Sequence, residues 1–167
     1  RPFLDEDEPT GETSDSESWV RQAITDGHGE FTADELELRL SHFETEDALV
    51  EPAATALAAA DLDTFSTWVA RSQQWTEKVL GNQVPETVML ADTARDFGAA
   101  AASAFGAGFG GCVWALVCAG EAADFLQRWS NGYHARFPNH VSKSRFFTSP
   151  AGPAAFILNL STESAGV

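Results

Sequence analysis

The stretch AFGAGFGGCVWALV, Ala104 to Val117, decides how this chain is read. Four glycines, Gly106, Gly108, Gly110 and Gly111, stand directly before an apolar run rich in strand formers. Glycine has no Cβ and reaches positive φ at little cost, so alternating glycines let backbone amides turn toward a ligand that approaches closely. Such a concavity suits phosphate or another anion. There is neither a GxGxxG spacing after a first strand nor a Gly-Lys-Ser or Gly-Lys-Thr ending. The residues alone therefore leave an anion site and a plain strand-to-strand turn both open.

Around this loop, Phe97 to Gly120 carries no charge over 24 residues, long enough to span a bilayer. Its six glycines and abundant Ala lower its hydrophobicity and favour turns, so the reading is strand, loop, strand: Ala100–Phe105 and Cys112–Val117. Upstream the texture is helical. Trp19–Ile24 predicts a short helix closed by Asp26-Gly27-His28-Gly29. Thr32 with Glu35 forms a capping-box pattern ahead of a helix over Ala33–His42. A further helix is expected from Thr45 to Ala60, with Pro52 bending or breaking it. Asp61 or Asp63 caps a third, whose Phe65, Trp68, Val69, Trp75 and Leu80 recur at helical spacing before Gly81-Asn82 ends it. Pro85 and Glu86 open a fourth helix reaching Asp96.

Downstream, Glu121–His134 reads as a helix with Ala122, Phe125, Leu126 and Trp129 on one face. The basic stretch Arg136–Arg145 leads to strand candidates at Arg145–Thr148 and Ala154–Leu160. Helices followed by short strands flanking another helix give the α+β class, with one small antiparallel sheet and helices packed on one face.

Charge bounds the partners. The chain of 167 residues has 25 acidic against 10 basic residues, a net of −15, which opposes nucleic-acid backbones and anionic membranes. Residues 1–51 hold 16 acids against 3 arginines, leaving 9 against 7 for residues 52–167. Arg1–Ser18 has the composition of a solvated tail. Residues 1–38 are accordingly read as an acidic, loosely ordered segment, 39–162 as the folded domain and 163–167 as a tail. The chain opens Arg1-Pro2 with no secretory signal, as a piece of a longer protein would.

The remaining reactive side chains are scattered. Cys112 and Cys118 match neither a disulfide framework nor paired zinc spacing, fit a reducing cytoplasm, and are expected to be buried small hydrophobes. His28, His42, His134 and His140 include no i, i+4 pair, so surface or capping roles are expected and no metal site. Ser72 is expected to bond the preceding helical turn. Arg128, Arg136, Lys143 and Arg145 lie where no acid occurs between Asp124 and Glu163; they either face a phosphate-bearing cleft or complement the acidic N-terminal third. Trp68, Trp75, Trp114 and Trp129 are read as core packing.

The string Gly106-Ala107-Gly108-Phe109-Gly110-Gly111-Cys112 resembles the third motif of the sugar-kinase branch of the galactokinase, homoserine kinase, mevalonate kinase and phosphomevalonate kinase family. The resemblance extends through Ser41-His42-Phe43-Glu44-Thr45-Glu46, Asp61-Leu62, Phe65, Ser72 and Pro85-Glu86, over residues 39–162. It implies the ferredoxin-like C-terminal domain of a galactokinase-like sugar kinase. In such an enzyme that domain packs on an N-terminal kinase domain, with ATP, Mg²⁺ and a monosaccharide in the cleft between them. Gly106, Ala107, Gly108, Phe109, Gly110 and Gly111 would then line that cleft. The family's Pro-x-x-x-Gly-Leu-Ser-Ser-Ser nucleotide loop and Gly-Glu-His sugar motif have no match in this sequence. The catalytic Asp and Mg²⁺ ligands belong to the half that carries those motifs, so this chain alone is expected to be inactive and to hold no tightly bound cofactor. Galactokinases usually place a cation and then Thr before the loop, where this chain has Ser103-Ala104-Phe105, so the sugar is either galactose or another monosaccharide. The reading from a different class is a stand-alone ferredoxin-like module that binds a small anion without catalysis.

Overall fold

The computed structural model describes residues 15–25, 31–106 and 108–152. Five helices and a two-stranded sheet make up this part: α1 (Asp15–Thr25), α2 (Ala33–Ala58), α3 (Leu62–Trp75), α4 (Pro85–Asp96), β1 (Ala101–Phe105), β2 (Cys112–Leu116) and α5 (Ala122–Arg136). The α+β class is as expected. The expected tail at residues 1–14, the Gly27–Gly29 break, Ala107 and the Ala154–Leu160 strand all lie outside the described residues. Asp15–Ser18, read as tail, is the first turn of α1.

The start of α2 follows its sequence closely. Glu35 N–H donates to Thr32 Oγ1 at 3.2 Å while Thr32 N–H donates to Glu35 Oε2 at 2.8 Å, so two of the amides that a helix start leaves orphaned are satisfied reciprocally. The Thr32 backbone amide, and then its hydroxyl, holds the Glu35 carboxyl below its ordinary value of 4.5. A carboxylate with a depressed folded pKa contributes stability that is present above the unfolded value and lost as pH falls through the folded one. Protection of the first turn of α2 against hydrogen exchange, measured relative to the intrinsic amide rate, should therefore be present at neutral pH and fall below pH 4.5, whereas a Glu35→Gln chain should show no such step.

Two expected helices, Ala33–His42 and Thr45–Ala60, are one continuous helix through Pro52. Proline removes one i to i−4 bond, whose acceptor would be the carbonyl of exposed Ala48, where water can replace the missing donor. The third helix stops being α-helical at Trp75. Thr76–Leu80 is a π turn, closed by Gly81 at φ 65° with its N–H donating to Thr76 O. Pro85 begins α4 as its fixed φ predisposes it to do.

In the hairpin, β1 pairs antiparallel with β2 in the register Ala102 to Ala115 and Ala104 to Val113. Side chains alternate across a strand, so Ala102, Val113 and Ala115 share one face. That face meets Ala94 of α4 and Phe125 and Trp129 of α5. Alanines let the layers approach closely: Ala94 and Ala101 are wholly inaccessible to solvent. Trp129 donates its indole N–H to Leu90 O at 3.1 Å, and its ring packs against Phe125 and Phe146. Burying Phe125 alone contributes on the order of 2 kcal/mol.

Several expectations change here. Arg145–Thr148 is not a strand; Phe146 instead packs its ring on Trp129, Tyr133 and His134. His134 and His140 fasten the same segment, through Ser144 at 2.9 Å and Tyr133 at 3.2 Å. Cys112 and Cys118 are exposed, because Cys112 sits on the sheet face turned away from α4 and α5 and Cys118 follows the end of β2. Of the four tryptophans read as core, Trp129 is buried, whereas Trp68, Trp75 and Trp114 are half-buried. Arg128 donates to Phe97 O at 2.8 Å, closing the C-terminal end of α4, and Arg136 lies over the Phe137 ring. No helix among the described residues is long and apolar enough to cross a membrane.

Candidate functional site: a one-sided glycine loop and the cavity behind it

Between β1 and β2 the backbone runs through the left-handed region almost continuously. Gly106, Gly108, Phe109, Gly110 and Gly111 have φ of 82°, 83°, 59°, 104° and 103°. Four of these positions are glycine because L side chains rarely adopt such angles. Phe109 adopts one nonetheless, with its ring 79% exposed.

Among its described residues, the loop is held to the domain at Asn82. Phe109 N–H donates to the Asn82 carbonyl, and a Cβ on Gly108 would lie 2.6 Å from that same oxygen. Asn82 is buried, and its Oδ1 accepts from Gln83 Nε2 at 3.0 Å. Gln83 in turn accepts from Thr87 Oγ1 at 2.9 Å, which ties the anchor to α4. Elsewhere the loop faces open space: a Cβ on Gly106 or Gly111 would meet no atom within 4 Å, and on Gly110 only Val84 Cγ2 at 3.8 Å. The backbone at those three positions is thus accessible from outside the domain.

Behind the anchor lies a cavity of about 410 Å³ that the sequence reading did not identify. His42 and Glu46 of α2 form one wall, and Ser72 and Gln73 of α3 another. Thr76 and Leu80 of the π turn, Asn82 and Gln83, and Ser103, Ala104 and Gly106 on the β1 side complete it. Ser72, expected to bond its own helix, instead donates to Glu46 Oε2 at 2.8 Å; Thr76 makes the back-bond, to Ser72 O. Gln73 is 5% exposed and its Oε1 accepts from both Ala104 N–H at 2.8 Å and Ser103 Oγ at 3.1 Å, so α3 closes the edge of β1 that β2 leaves open. Three buried polar atoms on these lining residues have no hydrogen-bond partner: His42 Nδ1, Glu46 Oε1 and Gln73 Nε2. Buried polar groups are paired in the great majority of cases, so these three atoms, each with almost no surface open to solvent, are exceptions.

Of the predicted loop residues, Gly106, Gly108, Phe109, Gly110 and Gly111 lie in the turn between β1 and β2, whereas Ala107 lies outside the described residues. His42, Glu46 and Ser72, which lie in the stretches that carry the resemblance, converge on the cavity. Their helical spacing was a legible signal, since His42 and Glu46 stand one turn apart on α2. Among the described residues no three His, Cys, Asp or Glu side chains lie close enough to hold a metal ion.

Residues 53–135, from the second half of α2 to the last turn of α5, match the protein family described as GHMP kinases C terminal. The match supports membership of the GHMP kinase superfamily.

Proposed function

We propose, taking GHMP kinase membership as the premise, that this chain is the C-terminal part of a galactokinase-like sugar kinase of the cytoplasm. GHMP kinases are ATP-dependent and work with Mg²⁺, and their C-terminal domain works beside an N-terminal kinase domain. In this reading the loop Gly106–Gly111 forms one wall of the cleft in which ATP phosphorylates a monosaccharide. The single observation that carries it is the one-sidedness of the loop. Its backbone is pinned to Asn82 at Phe109 and open at Gly106, Gly110 and Gly111, as a surface that receives a ligand from outside must be.

What these residues can do is position and exclude. Backbone without Cβ atoms fits the close approach of a phosphate. By the resemblance to this family, the Mg²⁺ ligands and the proton-accepting carboxylate belong to the N-terminal domain. Phosphoryl transfer depends mainly on positioning and charge neutralisation, and a wall that keeps water out contributes to the first of these. Exposed Phe105 and Phe109, with Leu116 on the same hairpin, give the partner domain an apolar surface to cover.

The test is a coupled ATP-turnover assay of the full-length gene product against galactose, arabinose, glucuronate and related sugars, with the 167-residue chain as control. Turnover with one sugar by the long form alone is the expected result. No turnover with any sugar, together with saturable anion binding by the short chain, would replace the kinase with a ligand-binding module.

A further inference from the structure

We infer that the outer face of α2 docks an amphipathic helix of a separate protein, one whose apolar stripe is flanked by lysine or arginine. Leu36, Phe43, Val50 and Leu57 stand seven residues apart, close to two helical turns, so they form one line along α2. Phe43 is 69% exposed, Val50 64% and Leu57 48%. From Phe43 to Leu57 the line runs about 21 Å. The core cannot cover it, because α3 lies on the opposite side of the helix. Pro52 and Ala59 line a groove with Thr64 and Trp68 of α3, and each stands two residues past Val50 or Leu57, about 200° further round. On one flank α1 is tied down by Arg21, which pairs with Glu37 and Glu44. A surface helix has one apolar stripe toward the core, here that of Leu49 and Ala56; a second, exposed stripe marks an interaction site.

Charge selects the occupant. Asp47, one turn past Phe43, is set into the stripe before Val50, and Glu51 lies one turn beyond Asp47. Both are exposed, and neither pairs with Lys or Arg among the described residues. Arg39, one turn before Phe43, is already bonded to Glu35 O and lies over the Phe31 ring. Exposed Ala54, one turn past Val50, presents only a methyl group and lets a second helix come close. The occupant therefore needs apolar side chains against Phe43, Val50 and Leu57 and a cation against Asp47 and Glu51. A second copy of this chain fails the latter requirement, since it brings the same carboxylates and another −15 of net charge. The ends of the chain fail it too: neither residues 2–14 nor residues 153–167 contain Lys or Arg. The stripe belongs to α2 and does not depend on the kinase reading.

The test is fluorescence anisotropy of labelled three-heptad peptides titrated with the 167-residue chain. One peptide has Leu at the first and fifth positions of each heptad between lysines, an isomer scatters the same leucines round the helix, and a third replaces Lys by Glu. The first should saturate and bind at least about tenfold more tightly than its isomer, and Val50→Asp or Asp47→Lys in the chain should each weaken it at least about tenfold. Phe43→Ser serves if Val50→Asp does not fold. Equal binding of the isomer or of the Glu peptide, unchanged affinity in the substituted chains, or no saturation would overturn the site. Sedimentation of the chain alone should show a monomer; a dimer dissolved by Val50→Asp would give the stripe to a second copy and overturn the proposal. Binding by the 167-residue chain that the full-length gene product lacks would place the cover inside the longer protein and overturn a separate partner. Failure of sugar turnover in the long form would leave each of these readouts unchanged.

Discussion

Gly108→Ala is expected to destabilise the domain by about 2–4 kcal/mol, most of the effect coming from one methyl group. Two costs add. A non-glycine residue at φ 83° is strained by about 1 kcal/mol or more, and the new Cβ would stand 2.5 Å from Asn82 Cγ and 2.6 Å from its carbonyl oxygen. Backbone cannot swing aside as a side-chain tip can, so the loop or the Asn82 turn must move. Gly106→Ala separates the two costs, having nearly the same φ of 82° and no atom within 4 Å of its Cβ. The urea midpoint of Gly108→Ala, read by tryptophan fluorescence, should fall well below that of Gly106→Ala. Equal midpoints would show that contact with Asn82 does not hold the loop.

The second large effect is on catalysis. If the protein is the proposed kinase, Gly110→Val in the full-length form should lower kcat/KM at least about 100-fold, equivalent to about 2.7 kcal/mol of transition-state stabilisation. The domain itself should lose about 1–3 kcal/mol, from holding a β-branched residue at φ 104° with the nearest atom to its Cβ 3.8 Å away. A branched side chain would project where backbone is proposed to meet ligand. Wild-type turnover in this variant, measured beside its melting curve, would remove the loop from the cleft.

Local chemistry was the legible part of this fold. The Thr32–Glu35 box, the left-handed stop at Gly81, Pro85 at a first turn and the two strands around the glycines each follow from residues within a few positions of one another. What was missed depends on residues far apart. A separate helix was expected from Thr45, yet α2 runs straight past it, packed against α3. Thr76–Leu80 is built from ordinary helix residues, and nothing in them announces a π turn. Ser72 had a local partner available and took Glu46, 26 positions away. The cavity could not be read at all as a motif: its walls come from two helices, a π turn and a strand, and its unpaired atoms exist only once these have met. For the loop the sequence identified the glycines, whereas Asn82, which anchors them, carried no signal.

Pro52 has a consequence for how the domain opens. A helix of 26 residues held by an unbroken ladder would exchange its amides as one unit, but α2 lacks one rung partway along. The turns on either side of Pro52 are therefore free to fluctuate separately. His42 and Glu46 ride on the N-terminal part, while Ala53–Ala58 beyond the proline belongs to the region that matches the kinase family. The wall that carries His42 and Glu46 can thus breathe without unfastening the domain from its own core.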